Sequence, residues 1–481
     1  MDNDPLLVAT LVKVDGAEVP CPDGQAIGLV QAYEVSAVQG SMQHRLCQGP
    51  SQQAADNFFE MLAMKSNGPI EDEKQRYNAF GRWRKKLLEQ LAGSDTGASR
   101  TLTRDSALEV QMLASMNRLD QLTINVPQVI DDLMFGLRGS VDTLILSGSR
   151  TFSFSAVDWL LRLKPSNLTW QEAGQSLARQ ILTQVVPGCE CLIGLALRGS
   201  QIPAEDVKFL AVEMSKRAHF KSVDLERNAL GDEGMEILAT AMKSSPKLED
   251  VNVTNNAVGP GGAHSLAAAV KQCRSLKKLG IGRNPLGPAG IEFVSDAVRD
   301  HPSLEELLLP YTRVEEVGID YFADAITAAS RLRHIDLAGN AMGPTACALA
   351  PAIGRSTCLA SLELRNNDLG AADVKDLASA VQKSCRFVFL GLDQNHIGDD
   401  GASYVASTIS KSCLETVVVS DNGISAVGFQ RLALAILSSS KIQIIDVSSP
   451  QCLGKSCGSR GSASFCDGDQ GEHDAAQDFH E

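Results

Sequence analysis

The chain has 481 residues, 44% hydrophobic and 21% charged, which is enough apolar material for one elongated domain or a few compact ones and too much for a disordered chain. A formal net charge of −14 argues against duplex nucleic acid as a partner, because phosphate contacts need clustered Lys and Arg. Met1–Thr10 lacks the cationic start of a secretory signal, no apolar run approaches the ~20 residues that span a bilayer, and the twelve cysteines are sparse, so a cytoplasmic protein with reduced thiols is expected.

Residues 1–104 carry no repeat and are read as a capping region. Leu7–Val14 and Ile27–Val38 have strand character, with Pro20, Pro22 and Gly24 marking a turn between them. A helix is predicted from Glu71 to Ala92, since Tyr77, Phe80, Trp83, Leu87, Leu88 and Leu91 fall broadly on one side. Solenoids need their open ends covered, so docking on the first repeats is the expected role of this helix; a partner-binding or membrane-surface helix is the alternative. Residues 105–191 read as degenerate capping repeats. Leu119, Leu122 and Ile124 fit one strand, Val141, Leu144 and Leu146 another, Ser149–Asn167 an inserted loop or turn, and Trp170–Val185 a helix.

From residue 192 to 447 a pattern recurs. Its first apolar positions are Leu192, Phe220, Leu248, Leu276, Leu304, Leu332, Leu359, Phe387, Leu414 and Ile442, separated by 28 residues or, twice, 27. Two further apolar positions stand two apart, such as Val223 and Leu225 or Leu390 and Leu392, as a short strand with one buried face requires. Three residues on stands Asn228, Asn256, Asn284, Asn340, Asn367, Asn395 or Asn422. Stacked copies of that amide can satisfy main-chain groups where the chain turns inward. Ser200 and Thr312 take its place in two units, where the ladder is expected to weaken. A turn such as Leu230-Gly231 follows, then a helical stretch whose first turn accepts Pro260, Pro288 and Pro344 or Asp232, Asp399 and Asp400, the exchange expected at a helix N-terminus. Small residues at Gly234, Gly262, Gly290, Gly318, Gly401 and Gly428 would let neighbouring helices approach closely.

This unit, for example Leu276–Val298, resembles the ribonuclease-inhibitor subclass of leucine-rich repeats. The resemblance implies an α/β fold, a right-handed solenoid or horseshoe with parallel strands on the concave face and helices on the convex face. It also implies protein binding as the shared activity of a family that includes a nuclease inhibitor, sensor arms of NOD-like receptors, the Ran GTPase activator and ciliary scaffold subunits.

Residues 448–481 turn to Gly, Ser, Cys and Asp and are read as a flexible acidic tail. Gly454-Lys455-Ser456 has the end of a phosphate-binding loop but Ser449 where its first glycine belongs. Cys452, Cys457, Cys466, His473 and His480 match no zinc spacing. No triad or nucleophile motif is visible, so neither catalysis nor a cofactor is expected. The informative positions are those pointing from the strands into the concavity: Asp224, Arg227, Arg283, Leu308, Tyr311, Asp336, Glu363, Arg365 and Asp393, together with Glu226, Asn252 and Thr254. Arg and Tyr there are the types that become interface hot spots, and Leu308-Leu309-Pro310-Tyr311 is the best local candidate. The expected function is a non-catalytic scaffold or recruitment subunit holding a protein partner, in a larger complex such as a ciliary or cytoskeletal assembly. A GTPase activator resembling the Ran-directed one is the alternative.

Overall fold

The computed structural model of the chain describes residues 163–447 without a break, and before them residues 141–147 and 160–161 and short strands at 13–14, 17–18, 98–101 and 119–125. The helix expected at 71–92 and the tail after 447 lie outside the described residues. Lys13–Val14 and Ala17–Glu18 pair antiparallel with each other. Fourteen strands make one sheet in sequence order, from Ala98–Thr101 at one edge to Ile444–Asp446 at the other. All neighbours in it run parallel, and Val223, Val251, Leu279, Leu307, Ile335, Leu362, Leu390 and Val417 stand in one register row.

Each strand in the regular repeats needs only three residues because only one inward side chain has to be placed. Ser222–Asp224 shows the pattern: Val223 is buried and its two neighbours are half exposed. Leu225 then joins Val223 in the core at 1% exposure, as its counterparts do from Val253 to Val419. Helices such as Gly231–Lys243, Pro260–Val270 and Gly287–Val298 cover the other side of these residues. Leu238, Leu266, Val294 and Phe322 close the core from there, each with 2% exposure or less. Burying such a side chain is worth roughly 1.5–3 kcal/mol, and each does so only against a neighbouring repeat. The last described repeat shows that dependence. Ile442, Ile445 and Val447 are only part-buried where no described repeat stacks beyond them, and a cavity of about 640 Å³ opens among Val419, Ile424, Phe429 and Val447.

Helices are about 10 Å across and strands about 4.8 Å apart, so the stack bends with its sheet inside. The helices come together at their small residues. A methyl group on Gly290 would stand 3.3 Å from Ala263 Cβ of the preceding helix, and one on Gly234 would stand 3.2 Å from Ala204 Cα. The Ser200 repeat puts Asp206 at this position, buried to 1% exposure and paired with Arg179 of the preceding repeat at 3.3 Å. Acids of the first helical turn act across repeats as well. Asp232 Oδ1 accepts the Gly259 N–H at 2.6 Å, and Asp399 accepts from Ser425 N and Oγ and from Gly428 N. Their partners are therefore the N-terminus of the next helix.

Three local expectations change. Asn167–Gln171 is a strand, paired with Thr143–Ser147 and Gly194–Arg198, and Trp170 is a fully buried core residue. The helical stretch starts later, at Gln175. Its repeat is hidden in the sequence because Pro165 replaces the first leucine and the spacing to the preceding repeat is shorter. In the Asn340 repeat the helix gives way to a 3-10 turn, Gly343–Ala348, and a short helix, Leu349–Arg355, that carries Pro351.

The asparagine ladder is present. Asn367 is fully buried; its Nδ2 donates to Leu337 O in the preceding repeat at 2.9 Å and to Arg365 O at 3.1 Å, and its Oδ1 accepts the Asn340 N–H at 2.9 Å. Asn284, Asn340 and Asn395 repeat the arrangement. Thr312 has one polar atom where an amide has two. Its Oγ1 donates to Leu309 O and to Asn340 Oδ1 and does not reach back a repeat. Asn256 Oδ1 is buried with no partner, a second gap that Thr and Ser substitution does not explain. Replacing Asn367 by Ala strands the buried Asn340 N–H and removes one of the two donors that Leu337 O and Arg365 O each have, so a loss of about 1–3 kcal/mol in urea unfolding is expected. Thr312→Asn supplies the missing amide and is expected to raise the urea midpoint by about 1 kcal/mol equivalent.

Candidate functional site

The inner face of the sheet is built from four residues per repeat. Two come from the strand, on either side of its buried residue; a third follows the second core position; the fourth precedes the ladder position. This fourth residue is left-handed in every repeat: Gly199, Arg227, Asn255, Arg283, Tyr311, Gly339, Asn366, Gln394 and Asp421 have φ between 53° and 65°. The chain must break from the strand there to bring the next side chain into the ladder, and the same break projects residues such as Arg283 and Tyr311 off the sheet.

The structure brings the predicted residues together in two groups. At the middle of the face the Arg283 guanidinium lies 5.0 Å from the centroid of the Tyr311 ring. That ring lies over Gly339 of the next repeat, where any Cβ would collide with it, and Tyr311 Oη meets Asn366 Nδ2 at 3.5 Å two repeats away. Leu308 stands beside this platform, half exposed and in register with Gly280 and Asp336. Towards the C-terminal end Asp336 and Glu363 are register partners, Glu363 reaches over Gly391, and Asp393 lies just beyond.

Several of these acids have a structural task that their sequence position does not reveal. Asp224 Oδ1 accepts the Glu226 N–H at 3.0 Å, Asp336 Oδ1 the Ala338 N–H at 2.9 Å, and Glu363 Oε1 the Arg365 N–H at 3.2 Å. Asn252 does the same for Thr254. The residue between the two core positions thus caps an amide freed where the strand ends. Glu226 spends an oxygen on Asn252 as well. Asp224 has its second oxygen on Arg198, whereas Asp336 and Glu363 each keep one, and Arg227, Arg283 and Arg365 are exposed.

The flanking strand position was missed by the sequence reading although alternation places it on the same face. Asp250, Lys278, Glu306, His334, Ser361 and Phe389 stand there, all half exposed. Their charges divide the face. In the first half Arg198 pairs with Asp224 at 2.7 Å and Lys278 with Glu306 at 3.1 Å, so acids and bases cancel locally. In the second half burial, then Asp393 and Asp336, push Glu363 up to about 7. Asp336 and Asp393 are also raised, chiefly by burial, and Arg365 is the cation that opposes the shift at all three.

Glu363 therefore takes up its proton in the fold at a pH where the unfolded chain, at 4.5, has lost it. Its ionisation costs stability that grows as pH rises from 4.5 towards 7 and stays constant above. Glu363→Gln keeps an oxygen for the Arg365 N–H. It is expected to stabilise the chain on the order of 1–2 kcal/mol at pH 8 and far less at pH 5, read from urea midpoints at both pH values.

Among the described residues no group of His, Cys, Asp and Glu is placed to hold a metal ion, and no helix is long and apolar enough to cross a membrane. No curated protein matches the chain. Solved structures similar to it include the Rad7 and Elc1 complex in yeast, at 14% identity over 74% of this chain and 96% of that one with a TM-score of 0.39. They also include the internalin inlF from Listeria monocytogenes, at 15% identity over 61% and 89% with a TM-score of 0.33. A third is the mouse RP105/MD-1 complex, at 12% identity over 74% and 60% with a TM-score of 0.40. All three scores are low, so the assignment rests on the repeat. The model of the leucine-rich repeat matches residues 218–239 and 244–267. With the same strand, turn and helix continuing in register on both sides of that match, the chain is a leucine-rich-repeat protein.

Proposed function

We propose that the chain is a non-catalytic scaffold or recruitment subunit that holds a protein partner on the inner face of its sheet, centred on the repeat carrying Leu308 and Tyr311. The observation that supports this reading most is the platform formed by Arg283, Tyr311 and Gly339. An aromatic ring and a guanidinium held against each other at mid-face, with a glycine beneath the ring, present a preorganised apolar and cationic surface that needs little ordering on binding. The left-handed backbone that the ladder requires at Arg283 and Tyr311 holds both side chains off the sheet, within reach of a partner.

A place in a ciliary or cytoskeletal assembly rests on the family resemblance, and a cytoplasmic location on the sparse cysteines. Activation of a small GTPase is the reading from another class, and single-turnover GTP hydrolysis with candidate GTPases separates it from scaffolding. For the scaffold, Tyr311→Ala combined with Arg283→Ala is expected to remove partners recovered by affinity capture and mass spectrometry. The midpoint of thermal unfolding should move by less than the equivalent of about 1 kcal/mol, since both side chains lie outside the core. Full recovery of the same partners by the double variant contradicts docking on the inner face.

A further inference from the structure

The two halves of the inner face differ in how their charges are met. From Arg198 to Glu306 the acids have cationic neighbours of the same sheet, through the Arg198–Asp224 and Lys278–Glu306 pairs. From Asp336 to Asp393 three carboxylates share one arginine, Arg365, and all three are half-buried. Two apolar side chains border this stretch: Leu308 one strand before Asp336, and Phe389 on the strand of Gly391. Gly391 leaves a low floor between them, covered only by the movable end of Glu363. The result is a shallow trough with apolar ends and an acidic middle.

We propose that this trough takes an extended segment of the protein partner that carries Lys or Arg flanked by an apolar residue, laid across the strands from Leu308 to Phe389. The proposal rests on the scaffold reading above and adds the chemistry of the partner. Charge complementarity selects it: the trough carries three acids against one base, the acids lie in a partly dry surface where an incoming cation is poorly screened, and Asp336 and Glu363 each cap a main-chain amide with one oxygen and keep the other. Geometry sets the spacing. Leu308 to Gly391 is three strand steps, about 14 Å, and an extended chain covers that in about four residues. Glu363 lies two steps from Leu308, so the basic residue falls about three residues from the apolar one.

Selection of a random dodecapeptide phage library on the full chain tests this. Enriched peptides should carry Lys or Arg two to four residues from a large apolar residue. Binding of a synthetic copy of the leading peptide should weaken about tenfold or more in the Asp336→Asn, Glu363→Gln, Asp393→Asn triple variant, whose amides at 336 and 363 keep the main-chain caps and whose unfolding midpoint verifies the fold. It should weaken again between 50 and 200 mM salt. Failure to enrich basic peptides, or unchanged affinity in a folded triple variant, overturns the proposal. Peptides lost on Tyr311→Ala but indifferent to the triple variant overturn it while leaving the scaffold reading in place. Peptides indifferent to both changes count against docking on this face altogether. Self-association of the chain that is abolished by the triple variant, with no basic peptide enriched, makes the occupant a second copy and likewise refutes the proposal.

Discussion

A strand of three residues cannot satisfy the main chain that leads out of it. The carbonyls after the strand and the amides of the following turn are buried by the repeats on either side, and water does not reach them. In most of the described repeats one side chain solves this: a buried amide whose nitrogen reaches back to the preceding repeat and whose oxygen receives that repeat's N–H, as Asn367 does between Asn340 and Asn395. The hydrophobic contacts supply most of the favourable energy and oppose a one-residue slip, but they are tolerant of shifts smaller than that. The amide is not, because its bonds exist only when adjacent repeats stand in one register. Parallel pairing, a shared row of core residues and the position of the inner face all follow from that constraint.

The inner face inherits its geometry from the same requirement. To bring each asparagine inward the chain turns left-handed one residue earlier, and whatever residue stands there is held away from the sheet. Tyr311 and Arg283 owe their mutual stacking to this backbone. The Asp and Glu between the core positions answer a second backbone demand, the amide freed at the strand end. Surface residues of this protein therefore serve folding and recognition at once, and the arginines and Tyr311 are freer to bind than the acids beside them.

Most of the fold was legible because its period is set by packing. Leucine-type positions at 28-residue intervals and asparagines three residues after the second core position are direct consequences of stacking, and nothing else in a chain produces them together. The strand at Asn167–Gln171 was not legible: Pro165 and Trp170 fill the leucine sites, and the shortened spacing disguises the period. The site was legible only as a set of candidates. Alternation located Asp224, Leu308, Asp336 and Glu363 on the inner face, whereas the contact of Tyr311 with Gly339 and the uneven pairing of charge depend on neighbours 26–28 residues away, and the amide-capping role of the acids depends on how the backbone bends two residues on. Position along one strand carries no information about the strand beside it. The flanking row from Asp250 to Phe389 could have been found, since the same alternation that marks Asp224 marks Ser222.

The central claim, that stacked modules locked in register carry the structure, is tested most directly by excising one of them. Removal of residues 248–275 joins Lys247 to Leu276 and lets Lys278–Gly280 pair with Ser222–Asp224 in the place of Asp250–Asn252. The account predicts a folded chain with a sheet one strand shorter and a cooperative unfolding transition by circular dichroism, while removal of residues 248–261, half a period, leaves the surrounding repeats unfolded. Equal damage from both deletions would contradict it.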